Sequence, residues 1–136
     1  MIRVMALVFV GGAIGAVVRE LLMLGVPTAR DGFVWSIFVA NVVASFVLGL
    51  VTGLHSRGAL GVDANSLLGT GLTGGMSTFS SFVYGAFALF AASQIGASAG
   101  LLYAGASLIV GFALMLLGLK IGEGAGPAAP ERKPPS

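Results

Sequence analysis

The stretch Gly71-Leu72-Thr73-Gly74-Gly75-Met76-Ser77-Thr78-Phe79-Ser80-Ser81-Phe82 interrupts the third of four long apolar segments. It lies in a run from Ala64 to Leu119 that contains no Asp, Glu, Lys or Arg. Glycine weakens a helix, and Ser and Thr side chains compete for its backbone hydrogen bonds. In lipid, backbone groups released from a helix are tolerated only where protein buries them or a polar cavity solvates them. The stretch therefore predicts a broken helix at membrane depth and, with it, an ion or substrate site.

The composition is that of an integral membrane protein. Of the 136 residues, 57% are hydrophobic and 9% are charged, and the mean hydropathy is +1.02. A soluble domain typically carries about a quarter charged residues. The formal net charge of +2 includes no basic cluster, so a nucleic-acid partner is not expected. The sequence offers no cysteine, paired carboxylates, nucleophile triad or phosphate-binding loop, so we do not expect an enzyme.

Four apolar segments have the length of roughly 20 residues that a helix needs to cross a bilayer. Their predicted bounds are Ile2 to Leu24, Phe33 to Leu54, Leu67 to Ala92 and Ala97 to Leu119. A polar turn at 25–32 and a loop at 55–66 separate the first three segments, and His55 is taken as solvated surface in that loop. Residues 1–120 are predicted to form one four-helix transmembrane domain. Residues 121–136, rich in Pro, Ala and charge, are predicted to be a disordered tail.

Glycines recur at four-residue spacing, which allows two helix backbones to approach closely. The pairs are Gly11/Gly15, Gly49/Gly53 and Gly96/Gly100. This spacing predicts tight packing between the helices. Four short helices enclose little interior of their own, so a permeation path is expected at an interface between subunits.

The basic residues give only a weak signal for orientation in the membrane. Four crossings put both termini on one side. The basic residues on that side are Arg3, Arg57, Lys120, Arg132 and Lys133, and those on the other are Arg19 and Arg30. The positive-inside rule then favours cytoplasmic termini. Without the two tail charges the bias is three to two, which predicts insertion in both orientations.

Polar residues inside the apolar segments are the candidates for a site. Asn41 has two open interpretations, a hydrogen bond between helices or a side-chain amide that donates to an anion. Ser45 lies one turn further on the same helix face and favours the second interpretation. Phe79 and Phe82 directly follow the predicted break. The edges of their rings carry positive partial charge, which suits contact with a small anion.

Several other residues have simpler interpretations. Tyr103 and Ser107 stand at i and i+4 on the fourth segment. Taken alone, they suit a tyrosine near the membrane interface and a serine bonded to its own helix. Arg19 most simply extends to the membrane interface. Phe9 and Phe112 are interpreted as packing residues.

Three ordered motifs resemble those of the CrcB/Fluc fluoride channel family. The first is Gly11-Gly12-Ala13-Ile14-Gly15-Ala16-Val17-Val18-Arg19, and the second is Asn41-Val42-Val43-Ala44-Ser45-Phe46-Val47-Leu48-Gly49. The third is the 71–82 stretch, which is similar to the family's Gly-Gly-X-Thr-Thr-Phe-Ser-Thr-Phe. Together with the chain length and the four segments, the resemblance covers residues 2–120. Any one motif would be weak, but the combination is highly specific.

The resemblance implies an antiparallel, dual-topology homodimer of four-helix subunits in the cell inner membrane, with two fluoride pores. It implies passive export of fluoride, which prevents toxic accumulation of the ion. A structural Na⁺ at the dimer axis would be held by the backbone carbonyls of Gly74 and Ser77 from both subunits. Arg19 and Gly75 fall at structural positions, and Gly74 and Gly75 would supply backbone freedom for the break. The matching pore positions are Asn41, Ser45, Thr78, Phe79, Phe82, Tyr103 and Ser107.

The sequence departs from the family pattern at two positions. Ser77 stands where the family usually has Thr, which a ligand provided by the backbone tolerates. Gly85 stands where many members have Glu, so this chain has no carboxylate at that position.

Two alternative functions stay open. A small dual-topology four-helix drug or cation exporter needs a membrane-embedded carboxylate to couple protons, and this chain offers only Glu20, beside Arg19 near a helix end. An assembly subunit that transports nothing would be held together by small-residue packing. It would have no use for the polar residues of the second to fourth segments.

Overall fold

A computed structural model describes residues 1–26, 34–92 and 96–126, and every regular element in these ranges is helical. The elements are α1 (Ile2–Gly25), α2 (Trp35–Ser56), α3 (Val62–Ala64), a π-helix (Asn65–Leu72), α4 (Thr73–Met76), α5 (Phe79–Ala92) and α6 (Gly96–Ala125). Three helices are long and apolar enough to cross a membrane, namely Ile2–Gly25, Trp35–Ser56 and Ser98–Ala125. The chain is an all-α membrane protein.

The third predicted segment is a broken helix, a name used below for residues 62–92. It begins with α3, continues as the π-helix and α4, and resumes as α5. Between α4 and α5, Ser77 leaves the helical conformation with φ −75° and ψ 151°. The break predicted from the Gly- and Ser/Thr-rich stretch is therefore confirmed. A π-helix is rare and is frequently found at functional sites.

Two predicted boundaries and one residue need correction. The broken helix starts at Val62, inside the stretch expected to be a loop. At the other end of the chain, α6 continues beyond Leu119 to Ala125, so the first residues of the expected tail are helical. His55 lies in the last turn of α2, where its Nδ1 is 2.7 Å from the Leu60 carbonyl oxygen, and is half-buried. Residues 27–33, 93–95 and 127–136 lie outside the described ranges, with most of the first predicted turn and the rest of the tail.

Glycines bring α2 and α6 into backbone contact. A Cβ atom added at Gly49 would overlap the carbonyl oxygen of Met115, and one at Gly53 would lie 2.8 Å from the Glu123 nitrogen. The opposing helix contributes Gly118 and Gly122, whose added Cβ atoms would overlap backbone oxygens of α2. The packing predicted for the pair at 49 and 53 is confirmed, whereas the second pair on α6 was missed.

Helix α1 packs in the same manner against the first half of the broken helix. Added Cβ atoms at Gly11 and Gly15 would overlap the carbonyl oxygens of Leu67 and Leu72. From the other side, a Cβ atom at Gly75 would overlap the carbonyl oxygen of Gly12. Gly75 lies inside α4, so it is needed for this close approach and not, as expected, for backbone freedom at the break.

The two helix pairs leave large apolar side chains on the outside. Phe9 is 78% exposed on α1, so this subunit provides little of the packing predicted for it. Leu21 on α1, Phe87 on α5 and Ile109 on α6 are also exposed. Exposed apolar faces of this kind suit contact with lipid or with a second subunit.

Candidate functional site

Thr78 begins the second half of the broken helix as its N-cap. Its Oγ1 accepts a hydrogen bond from the Ser81 N–H at 3.2 Å, three residues on, as a capping hydroxyl does. The same hydroxyl donates to Ser81 Oγ at 3.0 Å. The Thr78 side chain is only 8% exposed, so this region has little access to solvent. Its hydroxyl satisfies an N–H group that lacks a partner in the helix.

Asn41 connects α2 to the break through two hydrogen bonds with a single residue. The Thr78 N–H donates to Asn41 Oδ1 at 2.8 Å, and Asn41 Nδ2 donates to the Thr78 carbonyl oxygen at 3.2 Å. The interpretation of Asn41 as a hydrogen bond between helices is confirmed. An amide has two N–H donors, so a second one is available for another contact.

The break releases two backbone carbonyls, those of Gly74 and Ser77. In a continuous α-helix they would accept from the N–H groups four residues on, which belong to Thr78 and Ser81. Those N–H groups donate to side chains instead. Within the described residues, no N–H or O–H group donates to either carbonyl. Both residues are exposed, and a Cβ atom at Gly74 would meet nothing within 4 Å.

Arg19 also reaches the break. Its Nη1 donates to the Gly75 carbonyl oxygen at 3.3 Å, a contact that the sequence pattern did not predict. Its neighbour Glu20 is exposed, and the structure records no ion pair of Arg19 with a carboxylate in the described ranges. Arg19 therefore brings a positive charge to the peptide next to Gly74.

A cavity of about 430 Å³ lies between α2, the break, α5 and α6. Six of the seven predicted pore residues line it: Asn41, Ser45, Thr78, Phe79, Phe82 and Ser107. The other lining residues are Leu48, Ser77, Leu108, Gly111, Phe112 and Met115. Residues from separate motifs thus meet in one largely apolar cavity with a few polar groups, the usual character of a ligand site.

The two serines of the cavity differ in what their hydroxyls can do. Ser45 Oγ donates to the Asn41 carbonyl oxygen of its own helix at 2.8 Å. A hydroxyl has one proton to donate, so Ser45 has none left for an anion in this conformation. Ser107 Oγ is buried and has no hydrogen-bond partner within the described residues. Of the two, Ser107 is the available donor.

The aromatic rings form a row that starts at the cavity and runs inward. Phe79 is 79% exposed, and its ring centroid is 6.0 Å from that of the half-buried Phe82. Phe82 in turn stacks on Tyr103, with centroids 5.7 Å apart and planes at 27°. Tyr103 is fully buried and does not line this cavity, so it lies behind Phe82, and its predicted place in a pore stays a prediction.

Sequence reasoning missed several lining residues, and the pattern could have found one of them. Leu48 is seven residues after Asn41, on the same face of α2. Phe112, interpreted as a packing residue, lines the cavity and is 62% exposed. The sequence pattern alone cannot separate Phe112 from a lipid-facing residue.

A second cavity, of about 310 Å³, lies between α2 and the first half of the broken helix. It is lined by Ala44, Ser45, Leu48, Gly69, Thr70, Thr73, Gly74 and Ser77. Both residues whose carbonyls are released at the break therefore border this cavity. Ser45, Leu48 and Ser77 also line the larger cavity, so the two spaces adjoin.

Gly85 leaves space that Tyr103 occupies. A Cβ atom at Gly85 would lie 3.3 Å from Tyr103 Oη and 3.3 Å from Val34 Cγ2, closer than ordinary van der Waals contact. We expect Gly85→Ala to lower the midpoint of thermal unfolding in detergent by roughly 5 °C, because overpacking of this kind costs about 1 kcal/mol. In the Tyr103→Phe background, which lacks Oη, the loss should be smaller.

A matched control for this prediction is Gly105→Ala on α6, where an added Cβ atom would meet nothing within 4 Å. It should leave the midpoint unchanged or raise it, because alanine is favoured over glycine inside a helix and the added atom meets no neighbour. An equal loss for Gly85→Ala with and without the Tyr103 hydroxyl would show that the contact does not limit packing here.

A broken helix beside a cavity, within a small all-α membrane protein, defines a class in which discontinuous helices hold ions or substrates. The family described as "CrcB-like protein, Camphor Resistance (CrcB)" matches residues 6–119, and the chain belongs to this family. The resemblance inferred from the three sequence motifs is therefore confirmed.

Relatives of the chain carry names of ion channels and not of enzymes. It is 46% identical over 125 residues to "Fluoride-specific ion channel FluC 3" of Yersinia pseudotuberculosis, covering 92% of each chain. It is 46% identical over 123 residues to "Fluoride-specific ion channel FluC 1" of Brucella abortus, covering 90% of this chain. That match covers 46% of the relative, so the chain spans about half of its length. A 39% match over 117 residues, to "Fluoride-specific ion channel FluC" of Thermus thermophilus, covers 85% of this chain and 91% of the relative.

Proposed function

We propose that the protein is a fluoride-selective channel that passively exports fluoride across the cell inner membrane and so prevents its toxic accumulation. One observation supports the proposal most directly. Residues of two separate sequence motifs and of α6 line the same cavity. We infer that the ion is fluoride from membership of the CrcB family and from the names of the relatives.

The lining of the larger cavity suits a small, strongly hydrated anion. Such an ion needs replacement donors when it leaves water. Asn41 has a second amide N–H, and the Ser107 hydroxyl has no other partner within the described residues. The ring edges of Phe79 and Phe82 carry weak positive charge, which holds an anion less tightly than a lysine or arginine would. Weak, successive contacts of this kind allow an ion both to enter and to leave.

The runner-up, a proton-coupled drug or cation exporter, lacks a suitable carboxylate. Within the described residues, Glu20 is exposed on α1, Glu123 is exposed near the end of α6, and Asp63 pairs with Arg3 near the start of the broken helix. None of the three borders the larger cavity. The two functions are separated by efflux from liposomes with and without a proton gradient. Efflux of fluoride without a gradient supports the channel, and efflux of a cationic drug that requires one supports the exporter.

We further propose an antiparallel, dual-topology homodimer with two pores, in which the broken helix completes a fourth crossing. Exposure of Gly74, Ser77 and Phe79 on one subunit supports it, because a second subunit would cover these residues. The weak bias of basic residues agrees with insertion in both orientations. Reporters fused to the termini should mark both sides of the membrane. A one-sided signal, together with a parallel dimer by cross-linking, would contradict the proposal.

A structural Na⁺ at the dimer axis fits the released carbonyls. Those of Gly74 and Ser77 accept no hydrogen bond from the described residues, and both residues are exposed. Two oxygens from each subunit would give four neutral ligands. Such a set suits a monovalent cation better than Ca²⁺ or Mg²⁺, which recruit carboxylates or several waters. When bound, the ion would supply a positive charge that lowers the cost of an anion nearby.

Removal of Na⁺ should therefore reduce fluoride flux. Proteoliposomes in which N-methyl-D-glucamine replaces all Na⁺, with K⁺ and valinomycin present to compensate the charge of the released ion, are expected to release fluoride at least about tenfold more slowly, since two opposite charges a few ångströms apart interact by more than 1 kcal/mol at low dielectric. Return of Na⁺ should restore the rate. Full flux after exhaustive removal of Na⁺ would rule out the site.

A further inference from the structure

The break exists because two side chains take the N–H groups that would otherwise close it. The pairs that continue a helix through this region are the Gly74 carbonyl with the Thr78 N–H, and the Ser77 carbonyl with the Ser81 N–H. The first N–H donates to Asn41 Oδ1 at 2.8 Å and the second to Thr78 Oγ1 at 3.2 Å. Each N–H has one hydrogen, so each of these bonds leaves a helix carbonyl free.

The bond from Asn41 also orients the second carbonyl. The Ser77 carbonyl and the Thr78 N–H belong to one trans peptide plane, in which C=O and N–H point in opposite directions. Because the N–H is directed at Asn41 on α2, the Ser77 carbonyl is directed away from Asn41. The second bond, from Asn41 Nδ2 to the Thr78 carbonyl oxygen, fixes the following peptide as well. Asn41 thereby leaves the Gly74 carbonyl without a partner and orients the Ser77 carbonyl.

Loss of either side chain changes the balance between a broken and a continuous helix. A buried N–H without a partner is costly in a membrane, so it must find another acceptor. In a continuous α-helix that acceptor is the carbonyl four residues earlier, which is the released carbonyl itself. Gly74 and Met76 already lie in the helix α4, and the Ser77 N–H donates to the Thr73 carbonyl at 2.9 Å, so helical geometry reaches the break.

We infer that Asn41 and Thr78 are positioning residues for the cation site, because their side chains keep the carbonyls of Gly74 and Ser77 available to a monovalent cation. This inference rests on the Na⁺ site proposed above. It gives Asn41 a structural task toward the cation in addition to its place in the lining of the larger cavity.

The experiment measures Na⁺ binding through thermal stability and not through flux. A ligand that binds only the folded protein raises its unfolding midpoint with concentration. The midpoint of the purified protein in detergent is measured while Na⁺ replaces N-methyl-D-glucamine at constant ionic strength. The Na⁺ concentration needed to raise the midpoint by a given amount should increase at least about tenfold in Asn41→Leu and in Thr78→Val, since loss of one buried hydrogen-bond partner typically has this size.

Two further variants separate positioning from general damage. Thr78→Ser keeps the capping hydroxyl and should retain the Na⁺ response of the unaltered protein. Thr52→Val on α2 removes a hydroxyl that bonds its own helix at the Leu48 carbonyl, far along the chain from the break. The unfolding midpoint of this variant should rise with Na⁺ over the same concentrations as that of the unaltered protein. If Asn41→Leu does not fold, the pair Thr78→Val and Thr78→Ser decides the question.

The outcomes distinguish this inference from the proposed function. An Na⁺ response in Thr78→Val equal to that of Thr78→Ser overturns the inference and leaves the channel and its cation site standing. No response in the unaltered protein overturns the inference together with the cation site. Fluoride efflux from the same preparation, measured in parallel, then tests the channel itself.

Discussion

Gly75→Val is expected to prevent assembly of a folded protein. A Cβ atom at this position would overlap the carbonyl oxygen of Gly12 and lie 2.9 Å from its carbonyl carbon. Both partners are backbone, so no side chain can move aside, and α1 would have to separate from α4. Forced separation of packed helices costs on the order of 3 kcal/mol or more. Gel filtration in detergent should show aggregate in place of a single symmetrical species.

The matched control for this prediction is Gly105→Val on α6, the same substitution where an added Cβ atom meets nothing within 4 Å. It should behave as the unaltered protein on gel filtration. Gly75→Ala separates two explanations, because alanine adds the overlapping atom but not the restricted backbone of a β-branched residue. A stable, monodisperse Gly75→Ala variant would contradict the packing explanation and favour a requirement for backbone freedom.

Phe79→Ile and Phe82→Ile are each expected to reduce fluoride flux by at least about tenfold while gel filtration stays unchanged. Isoleucine is apolar and bulky but lacks the ring edge with its positive partial charge. Phe79 is 79% exposed, so its replacement should have little effect on folding. Phe112→Ile should reduce flux as well, because this ring lines the same cavity.

The control for the ring prediction is Phe87→Ile on α5, the same helix. Phe87 is 66% exposed and does not line the larger cavity. Its replacement should leave the rate of fluoride release within about twofold, as expected for an exposed residue away from a site. Unchanged flux in Phe79→Ile and Phe82→Ile alike would show that the rings serve only to fill space.

The break and the gathering of residues around it were predictable because local chemistry determines them. Glycines and hydroxyl residues weaken the helix at 71–82, and Asn41 is the strongly polar side chain of the second segment. Helical spacing then relates Asn41 to Ser45 and Phe79 to Phe82. What the pattern left open was the partner of Asn41, which depends on how α2 lies against the break.

Features that depend on tertiary contact could not be predicted from the sequence pattern. The hydrogen bond from Arg19 to the Gly75 carbonyl depends on where α4 lies against α1. The depth of Tyr103 depends on the space left at Gly85 on another helix. Phe112 borders the cavity because α6 turns that face toward Phe79, and hydropathy cannot distinguish this face from one in contact with lipid.

Fluoride efflux from proteoliposomes tests the central claim most directly. Liposomes loaded with potassium fluoride or potassium chloride, with Na⁺ present on both sides of the membrane, are diluted into an impermeant anion, valinomycin is added to carry K⁺, and an ion-selective electrode records the released halide. We predict rapid release of fluoride, with no ATP and no proton gradient, and no release of chloride above that of protein-free liposomes. Chloride release at a rate equal to that of fluoride, or fluoride release only in the presence of a proton gradient, would contradict the account.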